Sequence, residues 1–273
     1  MCRTSPDVRG TTLDPYDLAG LEALLAGTVF AGKLHFSPVT DSTNSDALAA
    51  ARNGAPNGSV YIADEQRVGR GRGDHAWDSV AGDGLYASVL LRSPFPAARL
   101  PLLPLAAGLA AAEAIRSVSG LSVDLRWPND LLIGPRKVGG ILVESKISGG
   151  SAEFAVAGIG INVHQRAFSP DLAAIATSLS LETDCRVSRQ DLLISLLKSL
   201  ECETLLLADP EAKVTIPARV EQASTWIRGR CVEVHGPQAC TGMTAGLDEY
   251  GFLLVRTDAG VVTVQTGGIR AAR

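Results

Sequence analysis

Between Val123 and Val163 four β-rich runs follow one another, VDLRW, DLLIG, VGGILVESKI and EFAVAGIGINV, with only Pro128, Gly134-Pro135 and Gly149-Gly150 as punctuation. Turns this short suit neighbouring antiparallel strands, and the last three runs read as an antiparallel meander. Helical patterns stand on either side. Residues 14–26 (DPYDLAGLEALLA) place leucines at helical spacing, and DSTNSDALAAARNG reads as a helix started by Asp41, Ser42 or Thr43 and stopped by Gly54. Leu102 to Val118 is the clearest buried helix, and further helices are expected over Asp171 to Leu179, Arg189 to Leu207 and Pro210 to about Gln222. Leu34 to Val39, Val60 to Glu65 and Leu85 to Leu91 read as strands. From Ile227 the composition turns to short β-runs with glycine turns and almost no helix signal. The chain is thus α+β, with a large domain and a small C-terminal β domain.

The 273 residues carry 46% hydrophobic side chains, enough for one large core and a small second unit. A net charge of -4 rules out a global basic field, so any anion site must be local. Five cysteines without a C-x-x-C pair read as reduced thiols of a cytosolic protein. The four histidines are scattered, which argues against structural zinc. The N-terminus lacks an apolar leader, and the run Leu100 to Ala112 is broken by Pro101, Pro104 and Gly108, so neither secretion nor membrane insertion is expected.

Chemistry concentrates in a few stretches. DEQRVGRGRGDHAW (64–77) sets Arg70 and Arg72 between Gly69, Gly71 and Gly73 and ends on Trp77. Two guanidinium forks on flexible backbone suit a phosphate or carboxylate; a solvated hairpin loop and an RNA-binding Arg-Gly segment are the alternatives. Trp77 is either a core residue or a stacking surface. RWPND (126–130) puts Asn129 and Asp130 in a constrained turn, read as an Asx turn. Lys137 either reaches solvent or supplies a point charge to a ligand, with Gly139 and Gly140 clearing space for it. GIGINV (158–163) repeats the glycine logic and demands partners for Asn162. Ser42, Thr43 and Asn44 stand where helix caps usually stand. The nucleophile elbow, the Walker A loop and the dinucleotide-binding glycine turn are all missing.

In this order, DSTN, EQRVGRGRGDHAW, RWPNDLLI, RKVGGILVE and GIGINV resemble the biotin protein ligase family, also called biotin–[acetyl-CoA-carboxylase] ligases, from about Leu34 to the C-terminus. The resemblance implies a mixed β-sheet packed with helices as catalytic domain (1–222) and an SH3-like β-barrel (223–273). It further implies that ATP converts biotin to biotinyl-5'-AMP, with Mg²⁺ on the polyphosphate, and that a lysine of a biotin carboxyl carrier protein then takes the biotinyl group. Position by position, Ser42, Thr43, Asn44 and Gln66 match biotin contacts, Gly69, Arg70, Gly71 and Arg72 the loop that closes on biotin and the adenylate phosphate, and Gly139 and Gly140 the biotin pocket. Trp77, Asn129 and Asn162 match residues near the nucleotide, while Lys137 matches the lysine on the biotin carboxylate and joins Arg70 and Arg72 in catalysis. Protein ligands for the metal are not identified, and the resemblance leaves room for a homodimer.

Three departures stand out. Gly73-Asp74-His75 replaces further basic residues, Arg126 replaces a common lysine, and only about 33 residues precede the first core strand, fewer than the roughly 50 a separate domain needs. A short ligase without a DNA-binding domain, contacting neither nucleic acid nor membrane, is therefore expected. The rivals are a lipoate ligase or octanoyltransferase on the related fold and, more remotely, a nucleic-acid-binding protein that uses the Arg-Gly loop.

Overall fold

The computed structural model describes residues 16–73, 75–92, 96–209 and 212–272. Asp17 caps α1 (Leu18–Leu24) by accepting the Gly20 amide, and β1 (Leu34–Thr40) follows. Ser42 holds extended backbone and so starts α2 (Thr43–Arg52), after which the chain enters β2 (Val60–Gln66) and β3 (Gly84–Leu91). A 3-10 turn at Ala97–Leu102 leads into α3 (Leu103–Ser119), closed by Gly120 at φ 73°. Next come β4 (Asp124–Arg126), β5 (Asp130–Ile133), β6 (Arg136–Ser148) and β7 (Ser151–Asn162). Helices α4 (Pro170–Ala173), α5 (Leu179–Glu182), α6 (Arg189–Ala208) and α7 (Ala212–Gln222) precede the last strands. These are β8 (Arg228–His235), β9 (Cys240–Leu247), β10 (Leu253–Thr257), β11 (Gly260–Val264) and β12 (Gly268–Ala271).

The main sheet has the order β1-β2-β3-β7-β6-β5-β4. The expected meander is present as β5-β6-β7, and β4 extends it. Only β1 and β2 run parallel, with α2 as the crossover, which makes the sheet mixed. β3 is buried at every residue because α6 packs on one face and α2 on the other. The large core joins α3 and six leucines of α6 (Leu192, Leu193, Leu196, Leu197, Leu200, Leu207) to the sheet and continues through Trp226 and Ile227 into β8, β10 and β11. On the opposite face Ala47 and Ala51 of α2 meet Leu90, Phe154 and Val156, with Leu48, Ala55 and Tyr61 packed partly buried against them. The smaller cluster leaves the rest of that face to polar groups.

One expectation is corrected. The segment 171–179 is not one helix: its middle pairs with β6 instead, the Lys137 amide donating to Ile175 O at 2.8 Å and the Thr177 amide to Lys137 O at 2.9 Å. The start of β6, which runs beyond its pairing with β7, outcompetes a continued helix for those backbone groups. The Arg-Gly stretch links β2 to β3 as a small hairpin, in which Arg70 bridges Ala76 and the Trp77 amide donates to Gly69 O at 2.8 Å.

The C-terminal strands form an antiparallel sheet ordered β11-β10-β9-β8-β12. Ala97–Ser119 is long and apolar enough to cross a membrane by composition, but it is 67% buried within the protein as its central helix. Cys185, Cys202, Cys231 and Cys240 are free thiols; Cys2 and Asp74 lie outside the described residues, as do 14 and 15 of the first helical pattern and 210 and 211 of the last.

Candidate active site

A cavity opens on the α2 side of the sheet. Ser42, Thr43 and Asn44 enter it from the start of α2, Gln66 from the end of β2, and Arg70, Gly71 and Trp77 from the hairpin. Tyr86 of β3, Lys137 and Gly140 of β6, and Gly158 and Gly160 of β7 complete it. The crossover connection dictates this: a parallel β1-α2-β2 unit sets the first turn of α2, with its unpaired amides, beside the ends of β1 and β2.

Polar groups along the wall form a continuous chain. Gln66 Oε1 accepts the Thr43 amide at 2.9 Å, and Gln66 Nε2 donates to Ser79 Oγ at 2.8 Å. Ser88 Oγ lies 2.6 Å from Asn44 Oδ1 and 2.7 Å from Thr43 Oγ1. An amide oxygen can only accept, so Ser88 donates to Asn44, and the Thr43 hydroxyl donates to Gln66 Oε1 at 3.1 Å. Asn44 Nδ2 then donates to Glu144 Oε2 at 2.9 Å, and Glu144 holds Arg70 through two bonds of 3.1 and 2.5 Å.

The two glycine-rich strands do what their sequence suggests. Gly140 and Gly160 face each other across β6 and β7 and seat the Trp77 indole, whose atoms would lie 2.7–3.0 Å from a Cβ at Gly160. A Cβ at Gly158 would collide with the Asn44 amide. Gly139 does not share this role. Its Cβ position faces Leu131 and Gly160 O, because neighbouring residues of a strand point to opposite faces.

Lys137 stands at one end of the cavity with Nζ 5.4 Å from the Trp77 ring centroid and 2.5 Å from Asp130 Oδ1. Arg126 takes the other carboxylate oxygen, with Nε at 3.0 Å and one terminal nitrogen at 2.6 Å. Burial pushes the Asp130 pKa up, but Lys137 and Arg126 outweigh it and hold the carboxyl below its usual range. Arg72 points elsewhere: it bonds Gly267 O and, at 3.1 Å, Thr266 Oγ1 in the link between β11 and β12. Burial lowers its pKa, with Asp130 opposing, and a guanidinium stays charged regardless. Burial likewise raises that of Tyr86.

The structure therefore brings Ser42, Thr43, Asn44, Gln66, Arg70, Gly71, Trp77, Lys137 and Gly140 together. Gly69 lies behind them, packed on Trp77 O. Asn129 and Asn162 are outside this cavity. Asn129 exchanges bonds with Ile141 at 2.7 and 2.9 Å, Asn162 Nδ2 donates to Thr177 O at 2.9 Å, and both turns are built on these contacts. The sequence reading missed Glu144, Tyr86 and Ser88 and took Asp130 for a turn residue only. Glu144 had a signal: it follows Gly140 by four residues on the same strand face. Among the described residues no group of three or more His, Cys, Asp or Glu side chains could hold a metal ion.

The cavity and sheet match known proteins. The model of the Biotin/lipoate A/B protein ligase family matches residues 36–162. The Biotin--[acetyl-CoA-carboxylase] ligase of Mycobacterium tuberculosis is 32% identical over 237 residues, 84% of this chain and 85% of that protein. The Bifunctional ligase/repressor BirA of Bacillus subtilis is 31% identical over 241 residues, covering 86% and 73% respectively. The biotin protein ligase of Aquifex aeolicus, solved with biotin and ATP, superposes with a TM-score of 0.75 at 30% identity, covering 89% of this chain and 99% of that one. The chain thus belongs to the biotin/lipoate A/B protein ligase family and, within it, to the biotin protein ligases.

Proposed function

We propose that this protein condenses biotin with ATP to biotinyl-5'-AMP, releasing pyrophosphate, and passes the biotinyl group to a lysine of a biotin carboxyl carrier protein. The observation that carries the reading is the polar chain Gln66–Thr43–Ser88–Asn44 along a slot with Lys137 at its end. A bicyclic urea offers N–H donors and a carbonyl acceptor to such a wall, and its carboxylate tail reaches toward a cation.

In the first step a biotin carboxylate oxygen bonds to the α-phosphorus and the bond to the pyrophosphate oxygen breaks. Lys137 faces the anionic carboxylate and phosphate and offsets the charge that gathers as that bond forms. Asp130 and Arg126 fix its ammonium, and Trp77 shields it. Arg72 lies near enough to feel Asp130 and brings a second cation from the hairpin. In the second step the carrier's amine attacks the acyl carbon, an amide forms and AMP leaves. No covalent enzyme intermediate is needed, which agrees with the missing nucleophile motifs; orientation and charge neutralisation do the work. Asn129 and Asn162 support this from the turns they brace.

Mg²⁺ enters only as the companion of the ATP phosphates. The residues present do not form a cage for it, since Asp130 already bonds two cations. A cytoplasmic setting and a homodimer belong to the same proposal.

Biotin-dependent ATP–pyrophosphate exchange on the purified protein tests the reading, with lipoate and octanoate as controls. Exchange with biotin alone supports it. Exchange with lipoate or octanoate instead moves the protein to the other branch of the family, and exchange with none of the three refutes the activation chemistry.

A further inference from the structure

We propose that Glu144 is a positioning residue for biotin: its carboxylate holds Arg70 in the cavity wall and so couples the α2 start to the arginine hairpin. The proposal rests on the biotin ligase reading of the cavity.

Three elements distant in sequence meet at this carboxylate. Both terminal nitrogens of Arg70 bond its two oxygens, at 3.1 and 2.5 Å, which fixes the plane of the guanidinium as well as its place. Asn44 donates to Oε2 at 2.9 Å and to Leu142 O at 3.3 Å. Asn44 is itself buried and bonded to Ser88. At the far end of the same polar chain Gln66 bonds Ser79, and Ser79 Oγ reaches Trp77 O at 3.3 Å. Arg70 and Trp77 are the two legs of one hairpin. The polar wall thus grips the hairpin at both legs, and Glu144 is the grip on the arginine side.

This arrangement also separates the two arginines. With both terminal nitrogens engaged by Glu144, Arg70 serves as a strut of the biotin wall, while Arg72 turns to Thr266 and Gly267. The pair is 37% and 28% exposed, so it adds little to global stability. A hairpin held by a few bonds needs only a small bias to change its preferred position. Losing that bias weakens biotin binding without unfolding the chain.

The test uses Glu144→Gln, Arg70→Gln and the double variant in the exchange assay, with KM for biotin and for ATP measured separately and melting temperatures recorded. Glu144→Gln keeps size and polarity but lacks the charge. It should raise KM for biotin about fivefold, the effect of roughly 1 kcal/mol, and leave KM for ATP and the melting temperature unchanged. The double variant should match Arg70→Gln alone, since Glu144 acts through Arg70. An unchanged biotin KM in Glu144→Gln, additive losses in the double variant, or a shift confined to ATP each overturns the proposal while the wild type still exchanges. No exchange in the wild type overturns the underlying reading, and this proposal with it.

Discussion

Replacing Gly160 by alanine tests the seat of Trp77 directly. An ideal Cβ there lies 2.7 Å from Cε2, 2.8 Å from Nε1 and 3.0 Å from Cζ2 of the indole. Comfortable carbon contacts are about 3.5–4.0 Å, so the ring must retreat by roughly 1 Å. Gly160 lies near the end of β7 but is paired on both sides, to Gly140 and to Tyr86, and its backbone cannot yield without distorting two neighbours. The hairpin yields instead, carrying Trp77 away from Lys137 and into the slot. Overpacking of this kind costs about 1–3 kcal/mol, which at about 1.4 kcal/mol per decade is a fivefold to hundredfold loss where binding needs the ring in place. Calorimetric titration should therefore show biotin affinity falling by about one to two decades, while the melting temperature drops by only a few degrees. In a Trp77→Ala background the same glycine substitution should cost nothing further. Wild-type biotin affinity in Gly160→Ala, or an equal loss with and without the tryptophan, would refute the seat.

Lys137→Ala should slow adenylate formation by about 10²–10³, as loss of a single charge-stabilising group does, with the fold intact; single-turnover formation near the wild-type rate removes it from the mechanism. Asp130 has its pKa held below the usual range, so its ion pairs stabilise the fold above about pH 4 and lose that effect as pH falls through the folded-state value. The melting-temperature gap between wild type and Asp130→Asn should be full at pH 7 and shrink as acidification passes below the ordinary carboxylate range. Arg189, 1% exposed, bonds Asp64 at 2.6 Å and lies over Tyr16, and Arg189→Met should cost about 3–5 kcal/mol in urea unfolding because Asp64 keeps a charge without its partner.

What the sequence revealed and what it hid follow from range. The meander from β5 to β7 was legible because its runs and turns are local, and α3 and α6 because their leucines and alanines repeat at helical spacing. The split of 171–179 into two short helices was not legible, since a strand more than thirty residues earlier claims its backbone groups. The site divides in the same way. Glycines at 140, 158 and 160 announced close approach by their mere position in strands, whereas the partners of the arginines did not: Glu144 lies 74 residues from Arg70, and Gly267 lies 195 from Arg72. Asn162 needed a partner as a polar residue in an apolar run, and the Thr177 carbonyl supplies one, while Asn129, read as a turn residue, bonds Ile141 across its turn.

The hold of Thr266 and Gly267 on Arg72 has a consequence for how the protein comes into being. A chain is made from its N-terminus, and domains fold as units while synthesis proceeds. The seven strands of the main sheet and every wall of the cavity are translated before residue 163, yet the groups that receive Arg72 arrive about a hundred residues later. A nascent or C-terminally clipped chain can thus own a finished slot with one of its two arginines untethered. Thr266 and Gly267, just ahead of the last strand, are therefore the last partners that the hairpin acquires.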